Sequence, residues 1–196
     1  MGSTRTKSKK PFIIGACILI LLAAGILISV QGRKSADRES YIASLNELRE
    51  QSIKGGSMAE TLCNFTKKVW YNTIYEEKDS GTDKYTRMSN GTGKFHDDFN
   101  ISLSNLYADD DVQTIITGLQ ASREIVDGIM KDLQNPSSEF TACYDAADSL
   151  YDAYCGLIDL AISPSGSLKT YSENFGEYDS DLLKYYNKLE TLIPDD

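Results

Sequence analysis

One histidine, His96, and one tryptophan, Trp70, occur in 196 residues, and no Cys-x-x-Cys or His-x-x-x-His pair is present. Structural and catalytic zinc sites are built from several Cys and His ligands, so this chain offers no ligand set for that metal. A Ser-His-Asp or Cys-His nucleophile would have to recruit His96, which sits beside Asp97 and Asp98 with nothing in the sequence to orient a nucleophile toward it. Dinucleotide and phosphate loops are missing as well: Gly91-Thr92-Gly93-Lys94 is a fragment without the strand and helix such a loop joins. Acidic residues are so numerous that their pairing carries no information about acid–base chemistry. The residues point away from an enzyme, and the sequence assigns no catalytic residue, cofactor or metal ligand.

Charge is absent from one long stretch. No charged residue lies between Lys10 and Arg33, and residues 12–30 read FIIGACILILLAAGILISV. At ~1.5 Å per residue such a helix covers roughly 28 Å, close to the ~30 Å hydrocarbon core of a bilayer. Pro11 suits the first helical turn, where backbone N–H groups are unpaired in any case, and Gly15 and Gly25 are tolerated in lipid. Arg5, Lys7, Lys9 and Lys10 precede the run and Arg33, Lys34 and Arg38 follow it, a narrow positive bias that places the N-terminal tail in the cytoplasm. The expectation is therefore a cytoplasmic tail at 1–10, a transmembrane helix at 11–32 held by membrane lipid, and an extracytoplasmic domain at 33–196. A cleaved signal peptide is the competing reading, but the apolar run exceeds the usual length and no Ala-x-Ala site closes it. Ile14-Gly15-Ala16-Cys17 lacks the apolar stretch a lipoprotein signal needs before its cysteine, and Cys17 reads as a small lipid-soluble residue. A third topology reverses the orientation and leaves the acidic domain in the cytosol, where free thiols are ordinary.

The net charge is -9, and no Asp or Glu precedes Asp37, so the domain after the apolar run is more acidic than the average. Nucleic acid and anionic lipid surfaces both call for Lys and Arg, which excludes nucleic acid as a partner and argues against extended docking on a bilayer. About 160 residues suffice for one domain with its own core. Cys63, Cys143 and Cys155 are an odd set, so at least one thiol stays unpaired. Cys143 and Cys155 fall ~18 Å apart on one predicted helix, beyond reach of a disulfide. The preferred reading makes all three small apolar core residues.

Apolar residues recur at alternating three and four spacing in several stretches, the mark of an amphipathic helix. Leu168, Tyr171, Phe175, Tyr178, Leu182, Tyr185, Leu189 and Leu192 form one such stripe; Phe140, Cys143, Ala147, Leu150, Tyr154, Leu157 and Ala161 form another. Ser163-Pro164-Ser165-Gly166-Ser167 stops the earlier helix and offers Ser167 as cap of the next. Val112, Ile115, Leu119, Ser122, Ile125, Ile129 and Leu133 make a third stripe, closed by Asn135-Pro136, with Ser137 or Ser138 to cap the helix after it. Asp109-Asp110-Asp111 lacks the loop of a calcium site and reads as acidic residues at a helix start or on a solvated face. Tyr41, Leu45 and Leu48 open the first helix, and Ala59, Leu62, Val69 and Thr73 resume the stripe beyond Gly55-Gly56, which reads as a kink or a close approach of helices. Residues 78–94 form the one long loop. The fold class predicted is all-α: a single N-terminal transmembrane helix followed by an antiparallel up-down four-helix bundle, with helices at about 33–78, 97–134, 138–163 and 167–193.

Three Asn-x-Ser/Thr sequons begin at Asn64, Asn90 and Asn100, with Asn90 the best exposed; the abundance of Ser and Thr makes them chance matches. Trp70 lies off the main stripe, and with Tyr71 it is the candidate partner contact, since aromatic residues are favoured at interfaces. The function expected is protein–protein interaction or scaffolding at the cell envelope, with a protein partner implied because one span and no cytoplasmic module cannot pass a signal alone. The alternative is a small-ligand-binding, sensor-like bundle or an enzyme with a pocket between helices.

Overall fold

The computed structural model describes residues 38–194. The predicted membrane span at 11–32 and the tail before it lie outside the described residues. Among those described, no helix is long and apolar enough to cross a membrane. The order is α1 (Arg38–Ile74), α2 (Asp83–Thr86), α3 (Phe99–Tyr107), α4 (Asp110–Asp132), α5 (Thr141–Ile162) and α6 (Leu168–Leu192). The architecture is all-helical. No strand occurs among the described residues; a single antiparallel bridge joins Arg87 to Phe95.

Four long helices share one core, and cross-helix contacts give their directions. Tyr41 Oη, near the start of α1, donates to Leu133 O at the end of α4 at 2.9 Å, while Thr66 near the other end of α1 meets Tyr107, just before α4, at 2.9 Å. α1 and α4 therefore run antiparallel. Tyr41 also stacks on Phe140 at the start of α5, ring centroids 4.6 Å apart, and Arg38 pairs with Glu139, so α1 and α5 start at the same end. Arg49 reaches Glu190 at 3.0 Å and Trp70 meets Tyr171, which sets α6 antiparallel to α1. α1 is the element that packs against all the others.

Most predicted core positions are buried. Leu45, Leu48, Ala59, Leu62 and Val69 of α1, every member of the α5 stripe, and Tyr171, Phe175, Leu182 and Leu189 of α6 face inward. The other four members of the α6 stripe, Leu168, Tyr178, Tyr185 and Leu192, are only half-buried, and in α4 Val126 is buried where Ile125 is not, because a straight helix of 3.6 residues per turn drifts from strict three-four spacing.

Gly55 and Gly56 do not end α1, which continues through both. They let other helices come close. A Cβ on Gly55 would sit 2.5 Å from Ser122 Oγ and 2.7 Å from Tyr154 Oη, and one on Gly56 would collide with Leu182. The absence of a side chain is what allows α4, α5 and α6 to converge on the middle of α1.

The helix expected over 97–134 is two helices. Asp98 caps α3 by accepting from Asn100 N at 2.8 Å, and Asp109 caps α4 by accepting from Asp111 N at 3.1 Å. An Asp side chain that bonds the backbone two residues on competes with helix continuation, so the chain breaks at Ala108-Asp109 and restarts. The acidic run thus lies at a helix N-terminus, where Asp110 and Asp111 meet the positive end of the backbone dipole.

α5 begins later than expected. Neither Ser137 nor Ser138 caps it; Phe140 holds the cap position without a side-chain bond and spends its ring on Tyr41. Ser167 caps α6 as its position implies, accepting from Thr170 N at 3.1 Å. α1 stops at Ile74 rather than 78, where Glu76 takes φ 53° and Glu77 N closes back on Asn72 O at 3.0 Å. That is a Schellman closure with glutamate in the place usually given to glycine.

The segment expected as a loop at 78–94 is tied down. Asn72 Nδ2 donates to Thr82 Oγ1 at 2.9 Å, Lys68 pairs with Asp79 at 2.5 Å, and Tyr85 sets its ring edge against Phe65. Met88 N donates to Lys94 O at 2.8 Å and His96 N to Thr86 O at 2.9 Å, so 87–95 folds back as a short ribbon with Asn90-Gly91 at its tip. Polar composition concealed this order because two of the three residues buried here, Thr82 and Thr86, are polar and only Tyr85 registers as apolar.

Candidate functional site

The C-terminal turns of α1 carry an exposed aromatic face. Tyr71, Ile74 and Tyr75 are 48%, 44% and 59% exposed. Helical spacing of three and four places them side by side, and the two tyrosine rings meet with centroids 4.4 Å apart. Lys68, one turn earlier, is engaged by Asp79, and the chain turns away at Glu76, which leaves the face flanked by charge of both signs. Apolar rings with polar hydroxyl edges inside a charged rim are the composition of a contact surface.

Trp70 and Tyr71, the two residues the sequence singles out, are not brought together. Trp70 is 1% exposed, stacked on Phe99 at 5.1 Å and tilted against Tyr171 at 5.6 Å. It offers no surface in the folded domain. It fell off the predicted stripe because α3 covers the adjacent face of α1, and α3 as a separate helix was not legible in the sequence. Its Nε1–H is buried without a hydrogen-bond partner. Tyr71 alone of the pair faces outward; sequence reasoning missed Ile74, whose spacing beside Tyr75 was the available signal.

Earlier along α1 the core holds a polar layer. Thr66 Oγ1 meets Tyr107 Oη at 2.9 Å, and Tyr107 donates to Ala161 O at 2.6 Å, linking α1, α3 and α5. The Tyr171 hydroxyl is enclosed beside Cys63 and Thr66 and makes no hydrogen bond of standard geometry. A second layer at mid-height joins Ser122 to Tyr154 at 2.8 Å. Most of these groups spend their bonds on one another, which fixes helix register and leaves few atoms to receive a ligand.

Cys63, Cys143 and Cys155 are free and buried. Burial pushes the Cys63 thiol up to about 11, against a smaller pull down from Tyr171 and Lys67. Burial likewise raises Cys155 to about 11 and raises Cys143. Thiols held protonated at neutral pH are poor nucleophiles, so none is an activated catalytic cysteine. Among the described residues, no group of three or more His, Cys, Asp or Glu side chains is placed to hold a metal ion. His96 contacts Asn105 Nδ2 at 3.4 Å.

No family model, curated protein or solved structure matches the chain.

Proposed function

We propose that this chain is a single-pass membrane protein, anchored through residues 11–32 with residues 1–10 in the cytoplasm, whose up-down helical bundle outside the membrane binds a protein partner. The exposed Tyr71–Ile74–Tyr75 face carries the reading. Large apolar side chains gathered on one exposed helix face are uncommon on a free surface and are favoured where proteins meet. Support for the anchor comes from the uncharged run between Lys10 and Arg33 and its basic flanks. Tyr71 lies toward the end of α1 opposite Arg38, about 50 Å along a straight helix.

The test is photo-crosslinking in intact membranes. A photoreactive residue at position 71 or 75 is expected to capture a discrete protein, while the same residue at Lys131, exposed on α4, captures none. Tyr71→Ala with Tyr75→Ala, read from a reporter at Ile74, should abolish the product. Capture that is equal at Lys131 overturns the assignment of the face. Digestion of the domain by protease added to intact cells is the expected result for the topology; full protection in cells with an intact inner membrane overturns it.

A further inference from the structure

We propose that Asn90-Gly91 is a built-in deamidation site, at which the folded ribbon assists conversion of Asn90 to aspartate or isoaspartate. The observation is a set of contacts on one carbonyl: Asn90 Oδ1 accepts from Thr92 N at 3.1 Å and from Thr92 Oγ1 at 2.6 Å. Deamidation begins when hydroxide removes the Gly91 N–H proton. The nitrogen lone pair then forms a bond to Asn90 Cγ while the carbonyl π pair moves onto Oδ1. Two donors already aimed at that oxygen stabilise the charge it gains, the logic of an oxyanion hole. The tetrahedral centre collapses, the Cγ–Nδ2 bond breaks, and the nitrogen leaves with its electron pair as ammonia after taking a proton from water. One water then opens the five-membered imide at either carbonyl. The net change is asparagine plus water to an acid plus ammonia, with no oxidation.

The surroundings of the attacking nitrogen fit the same chemistry. Gly91 has φ +78°, has no Cβ to obstruct ring closure, and has nothing within 4 Å of where a Cβ would be. Among the described residues, no hydrogen bond engages the Gly91 N–H, so its ionisation breaks nothing. The departing Nδ2 has one weak contact, Met88 Sδ at 3.7 Å. The other asparagines lack this setting. Asn46, Asn64, Asn72, Asn100, Asn105, Asn174 and Asn187 lie within helices, and Asn135 is followed by Pro136, which has no N–H to lose. The product places a new carboxylate at the tip of the ribbon that Arg87 braces through Gly93 O at 2.7 Å.

The experiment incubates the purified full chain in detergent at mildly alkaline pH, native and in urea, and follows the Asn90 peptide by mass and by isoaspartate labelling. Conversion confined to Asn90 and at least as fast in the native chain as in urea is expected. Thr92→Ala should slow the native rate about fivefold, the worth of a net hydrogen bond, and Thr92→Ser should restore it. Circular dichroism should be the same for all three, since Thr92 is exposed. Slower conversion when native than in urea, or acceleration by Thr92→Ala, overturns the proposal, because either means that the turn shields the amide.

Discussion

Ser122 Oγ and Tyr154 Oη meet at 2.8 Å against the bare face of Gly55, where α4 and α5 converge on α1. Replacing Gly55 with Ala pits two effects against each other. Helix propensity gains ~1 kcal/mol, but the new methyl overlaps both oxygens, and overpacking costs ~1–3 kcal/mol while the hydroxyl pair also separates. The expected result is net destabilisation of about 1–2 kcal/mol in urea unfolding. Gly128→Ala and Gly176→Ala, where nothing lies within 4 Å, should instead stabilise by up to ~1 kcal/mol. A stabilising Gly55→Ala would show that the convergence is loose.

Trp70 is large, buried and has an unsatisfied indole N–H. Trp70→Ala is expected to cost ~3–5 kcal/mol through the cavity it leaves between Phe99 and Tyr171. Trp70→Phe removes part of the ring but also relieves the orphan donor, a penalty of ~1–3 kcal/mol in the native chain. The phenylalanine variant should therefore unfold within about 1.5 kcal/mol of the parent. A loss as large as that of alanine would mean that the N–H finds a partner, such as a bound water.

Alkaline pH should destabilise the domain before its surface lysines titrate. Burial raises Cys63 and Cys155 from 9.0 to about 11, so between those values the unfolded chain has released protons that the folded chain still holds. Stability from each thiol is then fully present below pH 9 and is lost as pH rises toward 11, by on the order of 2 kcal/mol per group. Tyr41, raised by burial to about 12, prolongs the fall. Urea midpoints measured across this range should decline, and Cys63→Ala should shallow the decline. An unchanged slope in that variant would remove Cys63 from the account.

The same burial predicts slow labelling. Alkylating reagents should modify the peptides containing Cys63, Cys143 and Cys155 only under conditions that unfold the domain, and a reductant should not alter their behaviour. Rapid labelling of Cys63 at neutral pH would show that the centre of α1 opens far below the global unfolding free energy.

Glu76 holds a left-handed conformation at the end of α1 with φ 53°. A side chain there costs ~1 kcal/mol relative to glycine. Glu76→Gly is expected to raise the thermal midpoint by about 2–4 °C for a domain of this size that unfolds as a unit. A lowered midpoint would indicate that the glutamate side chain contributes more than its backbone strain removes.

The helical stripes were legible because periodicity reports which face is buried. The α5 seam from Phe140 to Ala161 is the clearest case: each residue named from the pattern is buried. Starts and stops were harder, since they depend on single side chains choosing between helix and local bonds. Ser167 made the bond its type favours, whereas Ser137 and Ser138 did not, and Asp109 broke a helix that periodicity alone would have run through. Trp70 misled for a related reason. The spacing places it correctly on α1, but the cover over that face is α3, a nine-residue helix with little pattern of its own. Exposure of Tyr71 and Ile74 is equally a matter of where α3 begins, at Phe99 against Trp70, which no local pattern encodes.

Because α1 packs against every other helix and is joined to them through the ribbon at 87–95, a single backbone cut at that ribbon would produce two fragments with complementary faces. The shorter one would carry Leu45, Leu48, Ala59, Leu62 and Val69, and the longer one the surfaces that enclose them. Neither piece could hide its apolar side alone. The covalent link is thus dispensable once folding is complete, and a nicked molecule should still migrate as one particle.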